Sequence, residues 1–428
     1  MVNSNGKPMK SSLSGFHKLG LEGRLEALRQ FSGLTEEEVG VLRRTGALDL
    51  PVADRMIENV IGTTEFPLGV AVNFLINGRD YIVPMALEEP SVVAAASNAA
   101  KLARPRGGFT ASSDDPLMIG QIQLVGIGDI EAASKNIMLN KEKIFEMANK
   151  CDSVLVKFGG GVRDIETRRI ATGRGAMLVV HLIVDVRDAM GANAVNTMSE
   201  TVAPFLEEIT GGKVRLRIIT NLADKRLARA RAVWDRDVIG AETVERILDA
   251  YEFAAHDQYR CTTHNKGIMN GIDAVVLATA NDFRAIEAGA HSYAARNGVY
   301  EPLTRYSKDE EGNLVGEIEL PMALGLVGGA TKTHPVAKVA VKILGVKSAK
   351  ELAEVAASVG LAQNFAALRA LSTEGIQIGH MKLHSKNIAV IAGADGGMID
   401  RVCERMVAEK SISVGRAKEI IAELSGSS

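Results

Sequence analysis

Lys266 lies in Thr263-His264-Asn265-Lys266-Gly267-Ile268-Met269-Asn270-Gly271, among amides and glycines and just before the apolar run Ala274–Ala280, which reads as a strand. A lysine in a loop there could cap carbonyls. Kept dry and charged, it could instead neutralise an oxyanion as it forms. That second role needs a carboxylate close by, and Asp282 in Asn281-Asp282 is the candidate. Arg260 adds a guanidinium fork that matches a carboxylate. Glu88-Glu89-Pro90-Ser91 falls between a strand and a helix start. An acidic pair in that place can be simple solvated decoration. Held against an apolar wall, such a carboxyl gains proton affinity and can donate near neutral pH. Ser91 and the helix N-terminus would then receive an anion.

Asp188-Ala189-Met190-Gly191-Ala192-Asn193 follows a strand and opens a long helix. Small residues there let a phosphate approach the helix N-terminus, with Asn193 and Thr197 as donors, although Asp188 is of the wrong sign for pyrophosphate. Gly159-Gly160-Gly161 offers a second close-approach loop; both segments could equally be tight turns. No GxGxxG occurs in the chain, which argues against a Rossmann domain. Gly325-Leu326-Val327-Gly328-Gly329-Ala330-Thr331-Lys332 lacks the spacing of a nucleotide-triphosphate loop. His380 and His384 stand four apart without a third ligand in view, so no metal site is expected, and His380 could serve as a general acid.

The 428 residues suffice for several domains. Lys+Arg number 50 against 52 Asp+Glu, so no field of one sign is available to draw in nucleic acid. Three cysteines without CxxC spacing read as reduced thiols, and no apolar run reaches the ~18 residues of a membrane span. A cytoplasmic protein is expected.

Helices are expected across the first fifty residues, including a capping box at Thr35, and again from Ser91 to about Arg104. Strands are expected at Arg79–Leu87, Gln121–Ile127, Val154–Lys157, Met177–Val186 and Val214–Thr220, with helices near 131–150 and 190–209. The resulting β-α-β-β-α-β order suggests a split βαβ sheet. Further strands are expected at Ala274–Ala280, Gly316–Ala323 and Asn387–Gly393. The fold class is therefore α+β. It comprises a large, mostly helical domain in two pieces (1–113 and 222–374), an inserted domain (114–221) and a C-terminal appendage (375–428).

Taken in order, Glu58-Asn59-Val60-Ile61-Gly62, Glu88 to Ser91, Asp188 to Asn193, Thr263 to Ile268, Gly325 to Thr331 and Gly379-His380 resemble the motifs of class II 3-hydroxy-3-methylglutaryl-coenzyme A reductases. The resemblance implies interconversion of 3-hydroxy-3-methylglutaryl-coenzyme A (HMG-CoA) with mevalonate and coenzyme A by two nicotinamide hydrides, without a metal. It implies that Lys266 stabilises the oxyanion, Glu89 handles protons at that oxygen, Asp282 couples the two, and His380 protonates the departing thiolate. Ser91, Arg260, Asn270 and Asn364 would hold the substrate.

The inserted domain would be a ferredoxin-like, non-Rossmann dinucleotide domain, with the C-terminal part a helical flap. Asp152, Asp188, Met190, Gly191, Asn193, Thr197 and Asn221 would contact the cofactor. Asp152 at the ribose position implies NAD(H) as the preferred cofactor, with NADP(H) as the alternative. The resemblance also implies a homodimer with shared active sites, or a larger assembly, and neither membrane nor nucleic-acid partners. Two rival readings are a related oxidoreductase acting on another acyl thioester, and a non-catalytic acyl-coenzyme A binding protein.

Overall fold

The computed structural model describes residues 9–373 and 385–425. The described residues form ten strands: β1 (Leu68–Ile76), β2 (Arg79–Ala86), β3 (Phe109–Ser113), β4 (Leu117–Val125), β5 (Gly161–Thr172), β6 (Gly175–Asp185), β7 (Lys213–Ile219), β8 (Leu227–Trp234), β9 (Thr304–Lys308) and β10 (Leu314–Pro321). They make a six-stranded sheet in the order β2-β1-β3-β8-β10-β9 and a four-stranded sheet in the order β5-β6-β4-β7. With its helices the chain is α+β.

In the six-stranded sheet only β1 and β3 pair in parallel. Strand β8 alternates buried Ala228, Ala230, Ala232 and Trp234 with more open Arg229 and Arg231, so one face meets the core and the other does not. The core face is covered by the helices Val92–Ala103, Gln258–Ala278 and Ala349–Ser372. The last of these has 24 residues and is apolar or small nearly all round, which suits a helix buried inside a domain. Phe365 on it stacks on Trp234 at 3.9 Å between ring centroids. Gly271 and Gly360 let the Gln258–Ala278 helix pass close to it. A Cβ on Gly360 would stand 2.8 Å from Ile272, and one on Gly271 2.9 Å from Gln363. This crossing fixes the backbone that carries Lys266.

All neighbours in the four-stranded sheet are antiparallel. The helices Ile130–Leu139, Lys141–Lys150 and Ala192–Thr210 pack on it through Ile137, Ile144, Val195, Met198, Val202 and Leu206. Near the C-terminus, a helix at 385–391 joins Gly396–Ala408 and Val414–Ser425 around a small separate core of Ile388, Val402, Met406, Ala417 and Ile420.

Several expectations need correction. The strands of the large, mostly helical part are not scattered but join in the six-stranded sheet. Val154–Lys157 belongs to the short helix Ser153–Lys157, because Asp152 caps it by accepting from the Leu155 N–H at 2.8 Å. The strand lies later, at β5, where exposed arginines hide the alternation. Ala274–Ala280 is no strand: through Ala278 it completes the helix that begins at Gln258, continuing the buried series Ile268, Ile272, Val275. Residues 385–391 are helical where a strand was expected. The helix expected over 131–150 is two, broken at Asn140.

Candidate active site

Glu89 stands at the corner between β2 and the helix Val92–Ala103, and Lys266 on the third turn of the helix Gln258–Ala278. Lys266 is therefore a helical residue rather than the loop residue expected, and the axis of its helix sets its direction. The two side chains meet with Lys266 Nζ 2.8 Å from Glu89 Oε2. Their side chains are 59% and 37% exposed in the single chain. Asn270 and Asp273 follow Lys266 on one face, four and seven residues on.

Ser91 occupies the cap position of its helix in the left-handed region, at φ 76°, with no side-chain capping bond. Its Oγ is buried and finds no hydrogen-bond partner among the described residues. Arg260 is half-buried near the start of the Lys266 helix, and burial lowers its pKa.

Asp282 begins the helix Phe283–Ala294. Its Oδ1 accepts from the N–H groups of Arg284 and Ala285 at 3.1 and 3.2 Å, and its carboxylate pairs with the Arg284 guanidinium. Burial works to raise its pKa, but these partners outweigh it and hold the carboxyl below the ordinary range. Among the described residues, Asp282 makes no hydrogen bond or ion pair with Lys266 or Glu89. Of the three residues expected to act together, the structure thus brings Lys266 and Glu89 into contact and leaves Asp282 with Arg284.

Asn364 departs from expectation further. It is 1% exposed, and its Oδ1 accepts from Thr304 Oγ1 at 3.0 Å and the Tyr306 hydroxyl at 2.9 Å. It braces the Lys266 helix from behind, through the His264 carbonyl, and does not face solvent. His380 lies outside the described residues.

A second cluster sits below the pair. Asp273 contacts Glu287 on the next helix; Glu287 Oε2 is 2.6 Å from His291 Nε2, and His291 Nδ1 is 2.7 Å from the Tyr300 hydroxyl. Burial first, and then contact with Glu287, push the Asp273 carboxyl up to about 8. Glu287 is held low, chiefly by His291. The folded chain thus keeps a proton on Asp273 that the unfolded chain releases near 3.8. That contribution is complete below pH ~4 and is lost as pH rises toward about 8. Asp273→Asn keeps a donor toward Glu287 at every pH. Calorimetry from pH 5 to 9 should show the Tm difference, variant minus wild type, growing with pH; a constant difference would contradict the shared proton.

The expected cofactor residues lie around the end of β6. The Asp188 carbonyl accepts from Leu326 and Val327 N–H, and its Oδ1 accepts from Ala349 N–H at 2.8 Å. It therefore caps the Ala349–Ser372 helix, not its own. Gly191, at φ 105°, packs on Val186 and starts the helix Ala192–Thr210, whose first N–H groups have no side-chain cap. Met190 precedes it, and exposed Asn193 and Thr197 stand one turn apart on that helix. Asn221 is exposed just after β7, and Asp152 caps its short helix with one oxygen only. An uncapped helix N-terminus flanked by small residues fits an anionic dinucleotide.

Reading the sequence missed two residues here. Arg226 is buried against the Ala189 and Met190 carbonyls, and Asn281 Oδ1 accepts from Gly325 N–H at 2.8 Å. Arg226 is disguised by the basic run Lys225 to Arg231, and Asn281 is overshadowed by the neighbouring Asp282.

Fold and site together define an α+β protein with a cation–carboxyl pair of the kind that suits a carbonyl and, at the end of the four-stranded sheet, a non-Rossmann turn whose helix N-terminus could receive an anion. Comparison with known proteins narrows this. Residues 20–385 match the family model of hydroxymethylglutaryl-coenzyme A reductase. A 3-hydroxy-3-methylglutaryl-coenzyme A reductase from Archaeoglobus fulgidus is 62% identical over 419 residues, covering 98% of this chain and 96% of the relative. A solved reductase from Streptococcus pneumoniae superposes with a TM-score of 0.82 at 41% identity, over 96% of this chain and 100% of that one. A class II reductase structure from the same organism, described as bound to NADPH in open conformations, gives 0.81 at 41% identity over 95% and 100%.

The chain belongs to the hydroxymethylglutaryl-coenzyme A reductase family. It is a nicotinamide-dependent oxidoreductase that interconverts HMG-CoA with mevalonate and coenzyme A. No helix among the described residues is long and apolar enough to cross a membrane.

Proposed function

We propose that Lys266 and Glu89 form the reacting centre of this reductase and that NADH is its preferred cofactor. The observation that carries the first statement is the 2.8 Å contact between the two side chains, which come from segments 177 residues apart. When bound, the nicotinamide supplies hydride to the acyl carbon. Lys266 faces the oxygen that gains negative charge, first on the thioester and then on the aldehyde. Glu89 is in hydrogen-bond reach of Lys266 and can return a proton to that oxygen. Asp282, paired with Arg284 in the single chain, would have to leave that partner to couple Lys266 to Glu89, and His380 protonates the departing thiolate. The pairing is chemically favourable, because an imidazolium of pKa ~6.5 donates downhill to a thiolate of ~8.5.

The orphaned Ser91 hydroxyl, Arg260 and Asn270 hold the free carboxylate of the substrate. Asn364 acts behind them as a brace. Residues 1–113 and 222–374 form the substrate part, 375–428 the flap, and 114–221 the ferredoxin-like dinucleotide part, whose strand order supports that reading. Asp188, Met190, Gly191, Asn193, Thr197 and Asn221 surround the cofactor. The working unit is a cytoplasmic homodimer with shared sites.

Asp152 uses one oxygen to cap its helix, leaving the other for a ribose 2′-hydroxyl. A 2′-phosphate there would meet a like charge. Initial rates with HMG-CoA should therefore give kcat/KM for NADH at least tenfold above that for NADPH. A value for NADPH equal or higher would refute the role given to Asp152, and absence of NADH or NADPH oxidation would refute the reacting centre.

A further inference from the structure

Arg226 is 5% exposed, and among the described residues it forms no ion pair. Its Nη1 donates to the Ala189 carbonyl at 3.1 Å and to the Met190 carbonyl at 3.4 Å, and its Nη2 to the Leu324 carbonyl. A buried guanidinium hydrogen-bonded only to carbonyls, with the Asp188 and Asp185 carboxylates favouring its charge from farther off, is a costly arrangement, tolerable where the carbonyls are themselves held in place. The three come from two segments: the turn after β6 and the segment that follows β10.

The second segment is tied on both sides. Leu326 and Val327 donate to the Asp188 carbonyl, Val327 bridges Ala189 in parallel, and Gly325 N–H donates to Asn281 Oδ1 at 2.8 Å. Asn281 directly precedes Asp282. Gly325 approaches so closely that a Cβ there would stand 2.6 Å from the Met190 nitrogen. Arg226 itself sits one residue before β8, and its carbonyl accepts from Met322 N–H, so the cation is anchored to the six-stranded sheet.

We propose that Arg226 is a positioning residue that pins the turn Ala189–Gly191 of the four-stranded sheet against the Asn281–Asp282 corner. It thereby sets where hydride arrives relative to Lys266 and Glu89. The inference rests on the reading of Asp188–Asn193 as the cofactor turn. Arg226 touches neither substrate nor reacting atoms; it acts through the backbone it holds. Removing its donors leaves three carbonyls unanswered and frees the turn to shift, which the dinucleotide feels before HMG-CoA does.

The test uses the full-length enzyme, with NADH binding followed by the fluorescence of the bound nicotinamide and with steady-state rates for both substrates. Arg226→Met should weaken NADH binding tenfold or more and lower kcat tenfold or more, with KM for HMG-CoA within twofold of wild type. Arg226→Lys should recover part of both losses. Because Arg226→Met could fail to fold, Gly325→Ala serves as a second lesion that displaces the same turn while the buried cation stays in place, and it should show the same split. If both Gly325→Ala and any folded Arg226 variant bind NADH within twofold of wild type, the pin is wrong. Equal losses toward NADH and HMG-CoA would reduce Arg226 to general support and also overturn it. Asn193→Trp, on the exposed start of the same helix, separates the two ideas. If it leaves NADH binding unchanged, the cofactor reading of the turn fails; if it blocks binding while Arg226→Met does not, only the pin fails.

Discussion

Lys266→Ala should lower kcat by about 10²–10³ while NADH binding and folding stay near wild type, because the proposed reacting centre puts the ammonium where charge develops and removal of one such donor typically costs 10²–10³. The separation of activity from stability follows from geometry. The Lys266–Glu89 pair is partly exposed in the single chain, and surface ion pairs contribute about 0–1 kcal/mol. The Lys266 helix is held elsewhere, through the Gly271–Gly360 crossing and through Asn265, which donates to the Glu301 carbonyl and accepts from Leu303 N–H at 3.0 Å. Single-turnover reduction of HMG-CoA, a fluorescence titration with NADH and a thermal melt measure the three quantities. A kcat within tenfold of wild type would remove Lys266 from the reacting centre.

That Lys266 and Glu89 belong together is more legible in the sequence than the scaffold that joins them. Lys266 and Glu89 stand out because each is an odd charge in a setting of small, amide or apolar neighbours, and they do meet. What surrounds them was harder to read. The run Ala274–Ala280 fits a strand or a buried helix equally well by composition. The outcome is decided by continuity with Ile268 and Ile272, which only packing against the Ala349–Ser372 helix makes visible. Strand β8 alternates correctly but is built from alanine and arginine, both good helix formers, so propensity spoke against it. The same basic run concealed Arg226. The family resemblance alone assigns Asn364 to the substrate, whereas Thr304, Tyr306 and the His264 carbonyl, brought in from distant segments, claim its amide. Asp188 was similarly claimed, by the N–H of Ala349.

On the proposed homodimer, Ile57→Glu combined with Ile61→Glu should give a folded monomer and lower kcat/KM by about 100-fold or more. The reason lies in how wet Lys266 is. At 59% exposure its ammonium works in a medium close to water, where a unit charge 4 Å away is worth about 1 kcal/mol; at an effective dielectric near 20 the same pair is worth about 4. The difference of about 3 kcal/mol is about 10² in rate, so a covering surface is required for the proposed chemistry. The chain has an apolar face for making one. Leu50, Val52, Met56, Ile57, Ile61 and Phe66 are all exposed, Ile61 fully at 102%, within one stretch that includes the Glu58–Gly62 motif. Isolated exposed apolar residues need no explanation, but six in seventeen positions fit the contact surface that the proposed homodimer needs. Because both isoleucines point to solvent in the single chain, glutamates there add no buried charge and the thermal melt should change little. Sedimentation velocity gives the assembly and initial rates the activity. A monomeric variant with undiminished turnover would mean that one chain dries its own lysine, and the shared site would have to be abandoned.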